Sequence, residues 1–204
     1  MTDQNTDASA PLILASSSRY RRELLDRLGL PFDSAVPDID EKIQPDENPM
    51  AAVARLAAAK ARAIALRQPE SYVIGSDQVA VIGTRILGKS GGFEAAREQL
   101  TQASGRSVRF LTGLCLIDPK GQEQIDVIPF TVQFRELPPW EIERYLEIEQ
   151  PFDCAGSFKS EGLGVTLFES MSGSDPTALV GLPLIRLCDM LRRSGLNPLT
   201  ACRT

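Results

Sequence analysis

Residues 11–22 constrain this chain most, because a short apolar run, Leu12-Ile13-Leu14-Ala15, passes straight through Ser16-Ser17-Ser18 into Arg19-Tyr20-Arg21-Arg22. This reads as a strand that hands over to a helix. Strand-like and helix-like segments alternate along the rest of the chain, which points to an α/β architecture. The junction also carries a chemical signal. A helix N-terminus holds unpaired backbone N–H groups and the positive end of the peptide dipole, so acidic residues favour its first turn. Arginines stand there instead, and the mismatch disappears if a polyanion such as a nucleoside triphosphate lies at that end among serine hydroxyls and amides. The plain alternative is that Ser17 or Ser18 is only an N-cap and the arginines are solvated.

The chain has 204 residues, 43% hydrophobic and 24% charged, enough for one sizeable core or two lobes. Its net charge of −5 argues against a general nucleic-acid surface, so a bound polyanion must be met by a local basic cluster. Histidine is absent, which removes Ser-His-Asp triads, Cys-His pairs and His-ligated zinc and leaves carboxylates and lysines for acid–base or metal work. Cys115, Cys154, Cys188 and Cys202 are widely spaced and read as buried or incidental thiols in a reducing compartment. Residues 1–10 are polar and read as a disordered tail, leaving 11–204 as a single domain. With no apolar run of membrane-spanning length, the expectation is a cytoplasmic protein that engages neither membrane nor nucleic-acid polymer.

The pattern predicts a strand at 11–15, a helix at 19–28 ended by Gly29 and Pro31, a strand at 32–36 and an acidic loop at 37–41. A helix at 49–66 follows, with Val53, Leu56, Ala57, Ala61 and Ile64 as its apolar stripe. Lys60 falls on that stripe. Such a lysine either snorkels from a core edge or aims a cation into a cleft. Strands are predicted at 72–81 and 85–87, a helix at 92–102, and a long antiparallel pair at 109–117 and 125–134 around a turn at 118–121. Residues 138–148 look helical, and 155–168 look like a loop leading to a strand. In the last helix Pro183 suits the first turn, Leu184, Leu187, Cys188 and Leu191 form one face, Arg192 and Arg193 the last turn, and Gly195 the stop.

Gly83-Thr-Arg-Ile-Leu-Gly88-Lys89-Ser90 fits the phosphate-binding P-loop pattern, but Arg85-Ile86-Leu87 reads better as the return strand of a hairpin turning at Gly83-Thr84. Gly91 and Gly92 also stand where the P-loop helix should start. Gly75-Ser76-Asp77-Gln78 is the better candidate, an aspartate just beyond an apolar strand start, although a turn role explains it equally. The set carries more than any member: an Arg/Ser anion site, Glu41, Lys60, Asp77 and Lys89. Without histidine, paired carboxylates with cations nearby suit metal-assisted hydrolysis of a phosphoanhydride.

The stretch from Leu12 to Arg22, residues 38–41, Gly75-Ser76-Asp77-Gln78, Gly88-Lys89, Thr112-Gly113 and Gly181-Leu182-Pro183 together resemble the Maf family of nucleoside triphosphate pyrophosphatases. The similarity runs from Pro11 to Leu199. Cys154-Ala-Gly-Ser-Phe-Lys-Ser-Glu-Gly162 with Asp77-Gln78 looks like the subfamily that hydrolyses 7-methyl-GTP to 7-methyl-GMP and pyrophosphate. The resemblance implies an inosine-triphosphatase-like α/β fold, an elongated mixed sheet flanked by helices, with two lobes and a central cleft. It implies Asp77 as proton acceptor, with Glu41, Lys60 and Lys89 as further catalytic residues and Ser16 and Arg21 at the substrate. Tyr20, Gln78 and Glu161 fall at base-specificity positions, and Glu41 with Asp77 would hold a divalent cation, Mg²⁺ or Mn²⁺. The implied partner is a small-molecule nucleotide, with a homodimer as one available assembly. Two other readings stay open: a Maf pyrophosphatase for dTTP or UTP, and a non-catalytic nucleotide-binding regulator.

The chain departs from the family where Arg19-Tyr20 replaces a common Pro-Trp and where Ser90 follows Gly88-Lys89 in place of proline. The first departure bears on base stacking. N7-methylation makes guanine cationic, and an aromatic face such as that of Tyr20 attracts cations. A carboxylate such as Glu161 accepts from guanine N1–H and the 2-amino group together, a donor pair that thymine and uracil lack.

Overall fold

Leu12, Ile13, Leu14 and Ala15 are all buried and form β1 (Leu12–Ala15), a strand apolar at every position because both its faces are covered. The structure, a computed structural model, describes residues 10–201; apart from Ala10, the expected N-terminal tail lies outside the described residues, as does Cys202. Strand β1 runs parallel to both β2 (Asp33–Ala35) and β3 (Tyr72–Ile82). The remaining pairs are antiparallel: β3 with β5 (Ser107–Ile117), β5 with β6 (Glu123–Phe134) and β6 with β7 (Phe168–Gly173). The result is a seven-stranded mixed sheet of order β2-β1-β3-β5-β6-β7, with β4 (Arg85–Leu87) folded back on β3. Gly83, at a φ of 57°, makes that return turn, so the P-loop pattern is a hairpin.

One edge of β3 is interrupted. Strand β1 pairs with Tyr72 to Gly75 and β4 with Ala80 to Ile82, leaving Ser76, Asp77, Gln78 and Val79 with no strand on that side. The opening separates a β1/β2 half from a β4 half and sits where α/β sheets change direction, the usual place for a ligand crevice.

Helix α2 (Pro49–Ala65) covers one face of the sheet, started by an Asn48 cap whose side chain accepts from the Met50 amide. The larger core lies on the opposite face, under α1 (Arg19–Asp26), α3 (Phe93–Ala103), α4 (Pro139–Glu149) and α5 (Leu184–Arg193). A short α6 (Pro198–Ala201) follows. Ala52, Ala57, Ala58 and Ala61 let α2 press its backbone onto the sheet, and two glycines receive it. A Cβ at Gly75 would lie 2.1 Å from the Ala57 carbonyl oxygen, and one at Gly113 2.2 Å from that of Val53.

Two differences from the sequence pattern have local causes. A 3₁₀ turn, Leu163–Leu167, precedes β7, and another, Pro176–Val180, precedes α5; neither is long enough to show an apolar period. Pro183 is the N-cap of α5, one position earlier than expected, and has no side chain able to cap. Buried Asp175 does so instead: Oδ2 accepts from the Ile185 and Arg186 amides, while Oδ1 accepts from the Thr177 amide and hydroxyl. Among the described residues no helix is long and apolar enough to cross a membrane.

Gly113→Ala should therefore destabilise the protein by about 1–3 kcal/mol, the range for overpacking. The urea midpoint should fall with an unchanged slope, whereas Gly92→Ala, whose Cβ meets nothing within 4 Å, should change it little.

Candidate active site

Side chains alternate along β3, so Gly75 and Asp77 face α2 while Ser76 and Gln78 face the opposite side. Asp77 stands across from Gly113 in the ladder, directly beneath α2. Lys60, on the buried stripe of that helix, does not snorkel outward: it is 5% exposed, and its Nζ donates to Asp77 Oδ1 at 2.7 Å and to Glu41 Oε2 at 2.8 Å. An ammonium this deep requires partners, and the two carboxylates supply them. Asp77 is a buried strand residue, with 12% of its side chain exposed. Glu41 comes from the loop between β2 and α2, with 58% of its side chain exposed. Asp77 Oδ2 and Glu41 Oε1 accept no hydrogen bond among the described residues.

The turn from β1 into α1 fixes Arg21. Ser18 is the N-cap and accepts from the Arg21 amide. Buried Ser16 accepts from the Ser18 amide at 3.1 Å and from Arg21 Nη1 at 3.4 Å, while Arg21 Nε donates to the Gly181 carbonyl at 2.8 Å. The Ser76 hydroxyl lies 2.8 Å from the same carbonyl oxygen. Burial lowers the Arg21 pKa from its usual value, opposed by Asp77 and then Glu41. Both carboxylates favour the charged guanidinium that burial disfavours.

A cavity of about 400 Å³ opens on this side, lined by Tyr20, Arg21, Gln78, Lys89 and Glu161 among others, while Ser17 and Ser18 reach it and Ser16 does not. Gln78 Nε2 donates to the Ala178 carbonyl at 2.7 Å and to Thr112 Oγ1 at 3.0 Å, and Oε1 has no donor among the described residues. Lys89 bridges to Ala155 through its backbone and has an exposed ammonium with no ion-pair partner among the described residues. Exposed Glu161 accepts, among the described residues, only from the Ser160 hydroxyl, at 2.7 Å. The Tyr20 hydroxyl accepts from Arg19 Nη2 at 2.7 Å and lies 3.3 Å from Asp153 Oδ1; burial raises its pKa and keeps it protonated. Cys154, read as incidental from sequence, also lines the cavity, and burial pushes its thiol up to about 11.

The structure thus divides the nine candidate residues. Glu41, Lys60 and Asp77 form one hydrogen-bonded cluster; Tyr20, Gln78, Lys89 and Glu161 line the cavity; and Arg21, held by Ser16, connects the two groups. Sequence reasoning missed Asp153 beside Tyr20, Thr112 under Gln78 and the Gly181 carbonyl. Only the Thr112-Gly113 and Gly181-Leu182-Pro183 motifs gave any sign of the last two.

Among the described residues no group of three or more Asp, Glu, Cys or His side chains can hold a metal ion by itself. Glu41 and Asp77, each with one free hard oxygen, nevertheless fit a Mg²⁺-like ion, which takes one or two carboxylates and completes its shell with phosphate oxygens and water.

The family model for Maf-like proteins matches residues 11–194. A Pseudomonas fluorescens protein named 7-methyl-GTP pyrophosphatase is 61% identical, covering 92% of this chain and 98% of its own. An Alcanivorax borkumensis protein of the same name is 55% identical, covering 94% of this chain and 98% of its own. Among solved structures, a HAM1 protein from Coxiella burnetii has a TM-score of 0.47 at 19% identity, over 63% of this chain and 75% of that one.

Lys60→Met should cost about 3–5 kcal/mol, the range for a buried charge that loses its partner. Adding Asp77→Asn should recover part of the loss in urea unfolding. No recovery would mean that Asp77 is not the charge Lys60 compensates.

Proposed function

The chain belongs to the Maf family, and on that footing we propose that it hydrolyses 7-methyl-GTP to 7-methyl-GMP and pyrophosphate. The observation that carries the reading is the Lys60 ammonium bound to both Glu41 and Asp77, beside a cavity lined by Arg21 and Lys89. Relatives named for this activity, 55–61% identical across nearly the whole chain, support the substrate.

Lys60 holds one oxygen of Asp77 and leaves Oδ2 free to take a proton from a water attacking the α-phosphorus. The same ammonium keeps Glu41 beside Asp77, where two like charges would otherwise repel. Glu41 and Asp77 are the residues that would hold Mg²⁺ or Mn²⁺, which when bound supplies charge neutralisation on the phosphate oxygens. Arg21 and Lys89 add fixed positive charge along the triphosphate, and the α1 N-terminus with Ser17 and Ser18 offers donors to it.

Base recognition falls to the cavity. The Arg19 guanidinium already lies 4.7 Å from the Tyr20 ring centroid, so the ring's other face is the one left for the cationic 7-methylguanine; Glu161 accepts from N1–H and the 2-amino group, and Gln78 Oε1 offers a further acceptor.

With Mg²⁺ or Mn²⁺ the products of 7-methyl-GTP should be 7-methyl-GMP and pyrophosphate; 7-methyl-GDP as main product on chromatography would overturn the reading. Asp77→Asn should lower turnover by about 10²–10⁴-fold while nucleotide binding survives, a split that equilibrium binding alongside kcat resolves. Glu161→Gln should narrow the preference for 7-methyl-GTP over UTP and dTTP. Tyr20→Ala should weaken capture of the methylated base by about 0.5–2 kcal/mol. An unchanged order of kcat/KM across 7-methyl-GTP, GTP, UTP and dTTP would assign base selection elsewhere.

A further inference from the structure

Glu41 is the least secured member of the carboxylate cluster. It sits on a connection, residues 36–48, that has no helix or strand, more than half of its side chain is exposed, and among the described residues its carboxylate has a single bond, to Lys60. One ion pair made by a carboxylate more than half exposed does not by itself hold an irregular segment in place. Something else must fix the backbone beside it.

That fixture is on the first turns of α2. Arg55 Nε lies 2.7 Å from Glu47 Oε1 and Arg55 Nη2 2.7 Å from Glu47 Oε2, the paired geometry in which a guanidinium holds a carboxylate most firmly. The same Nη2 donates at 3.1 Å to the carbonyl of Lys42, the residue that follows Glu41. Glu47 in turn accepts from the Gln44 amide at 3.0 Å, and its side chain is only 12% exposed. Ile43 points inward against the core under α2, and Asp40 accepts from the Lys42 amide. Apart from their own pair, the side-chain hydrogen bonds of Arg55 and Glu47 go to Lys42 and Gln44, within the segment that carries Glu41.

We propose that Arg55 is a positioning residue for Glu41: gripped by Glu47 and bonded to the Lys42 carbonyl, it latches the β2–α2 connection onto α2 and so presents Glu41 to Lys60 and to a divalent cation. The role in cation binding rests on the reading above. The latch itself is a property of the free protein. Arg55, and then the Gln44 amide, hold the Glu47 carboxyl down to about 2, which favours the ionised form that the grip uses.

The test uses the full chain with Arg55→Met, Glu47→Gln and the double variant; the Gln variant keeps the side-chain volume should Arg55→Met fail to fold. In free protein, amide hydrogen exchange across residues 38–46 should accelerate in each variant while exchange in β3 and β5 does not change. With 7-methyl-GTP, the Mg²⁺ concentration at half-maximal rate should rise about tenfold or more, the usual cost of removing a group that orients a metal ligand. KM for the nucleotide at saturating Mg²⁺ should hold. The double variant should be no worse than the worse single variant, because both act through one pair. Unchanged exchange in 38–46, an unmoved Mg²⁺ dependence, or additive losses would each overturn the proposal. If the unaltered protein does not hydrolyse 7-methyl-GTP, the functional reading fails, and the exchange measurement still decides the latch.

Discussion

The contact on which the site depends is one of backbone against backbone, α2 lying on β3 and β5 with no side chain between them at Gly75 and Gly113. Helix and sheet normally meet through interdigitated side chains, and here two positions give up theirs. The closer approach fixes how deep Lys60 lies, and depth decides what Lys60 does. A helix raised by one methyl layer would let its ammonium reach water; at the observed depth it must bind Asp77 and Glu41. The depth at which Lys60 meets the carboxylates is thus set by two glycines that have no side chain to touch them.

The break along the β3 edge does the complementary work. Four residues of a central strand, Ser76 to Val79, lack a neighbour on one side, in a sheet that otherwise pairs β3 along most of its length. Without it, the carboxylates under α2 and the cavity on the opposite side would be separated by continuous sheet. The Gly181 carbonyl anchors this region, receiving Arg21 Nε and sharing the Ser76 hydroxyl with the Gly113 carbonyl. Gly181 has a φ of 110°, a conformation that a side chain would resist.

Elements governed by local period were readable from the sequence. The strand at Leu12–Ala15, the helix at Pro49–Ala65, the hairpin at Gly83, the long antiparallel pair and the last helix all lie within a few residues of where their patterns put them. What was not readable depends on distant chain. Asp175 caps a helix that begins nine residues later, and a lone aspartate before Pro176 gives no hint of it. The direction of Lys60 is likewise invisible in α2 alone, since an inward lysine and a snorkelling one occupy the same stripe position. Of the three arginines that open α1, only Arg21 turns inward, because the Gly181 carbonyl, 160 residues away, is there to receive it. Asp153 meets Tyr20 across 133 residues and reads in sequence as a loop acid.

Asp77 and Gln78 are neighbours in the chain that look out on opposite sides of one strand. Their surroundings therefore share almost no side chains. On the proposed reading, substitutions at Gln78 or Glu161 alter the base end of the cavity while the contacts of Lys60 with Asp77 and Glu41 stay as they are, and Arg21 is the side chain that both surroundings share. On that reading, base preference can change in small steps at positions that leave the carboxylate cluster intact.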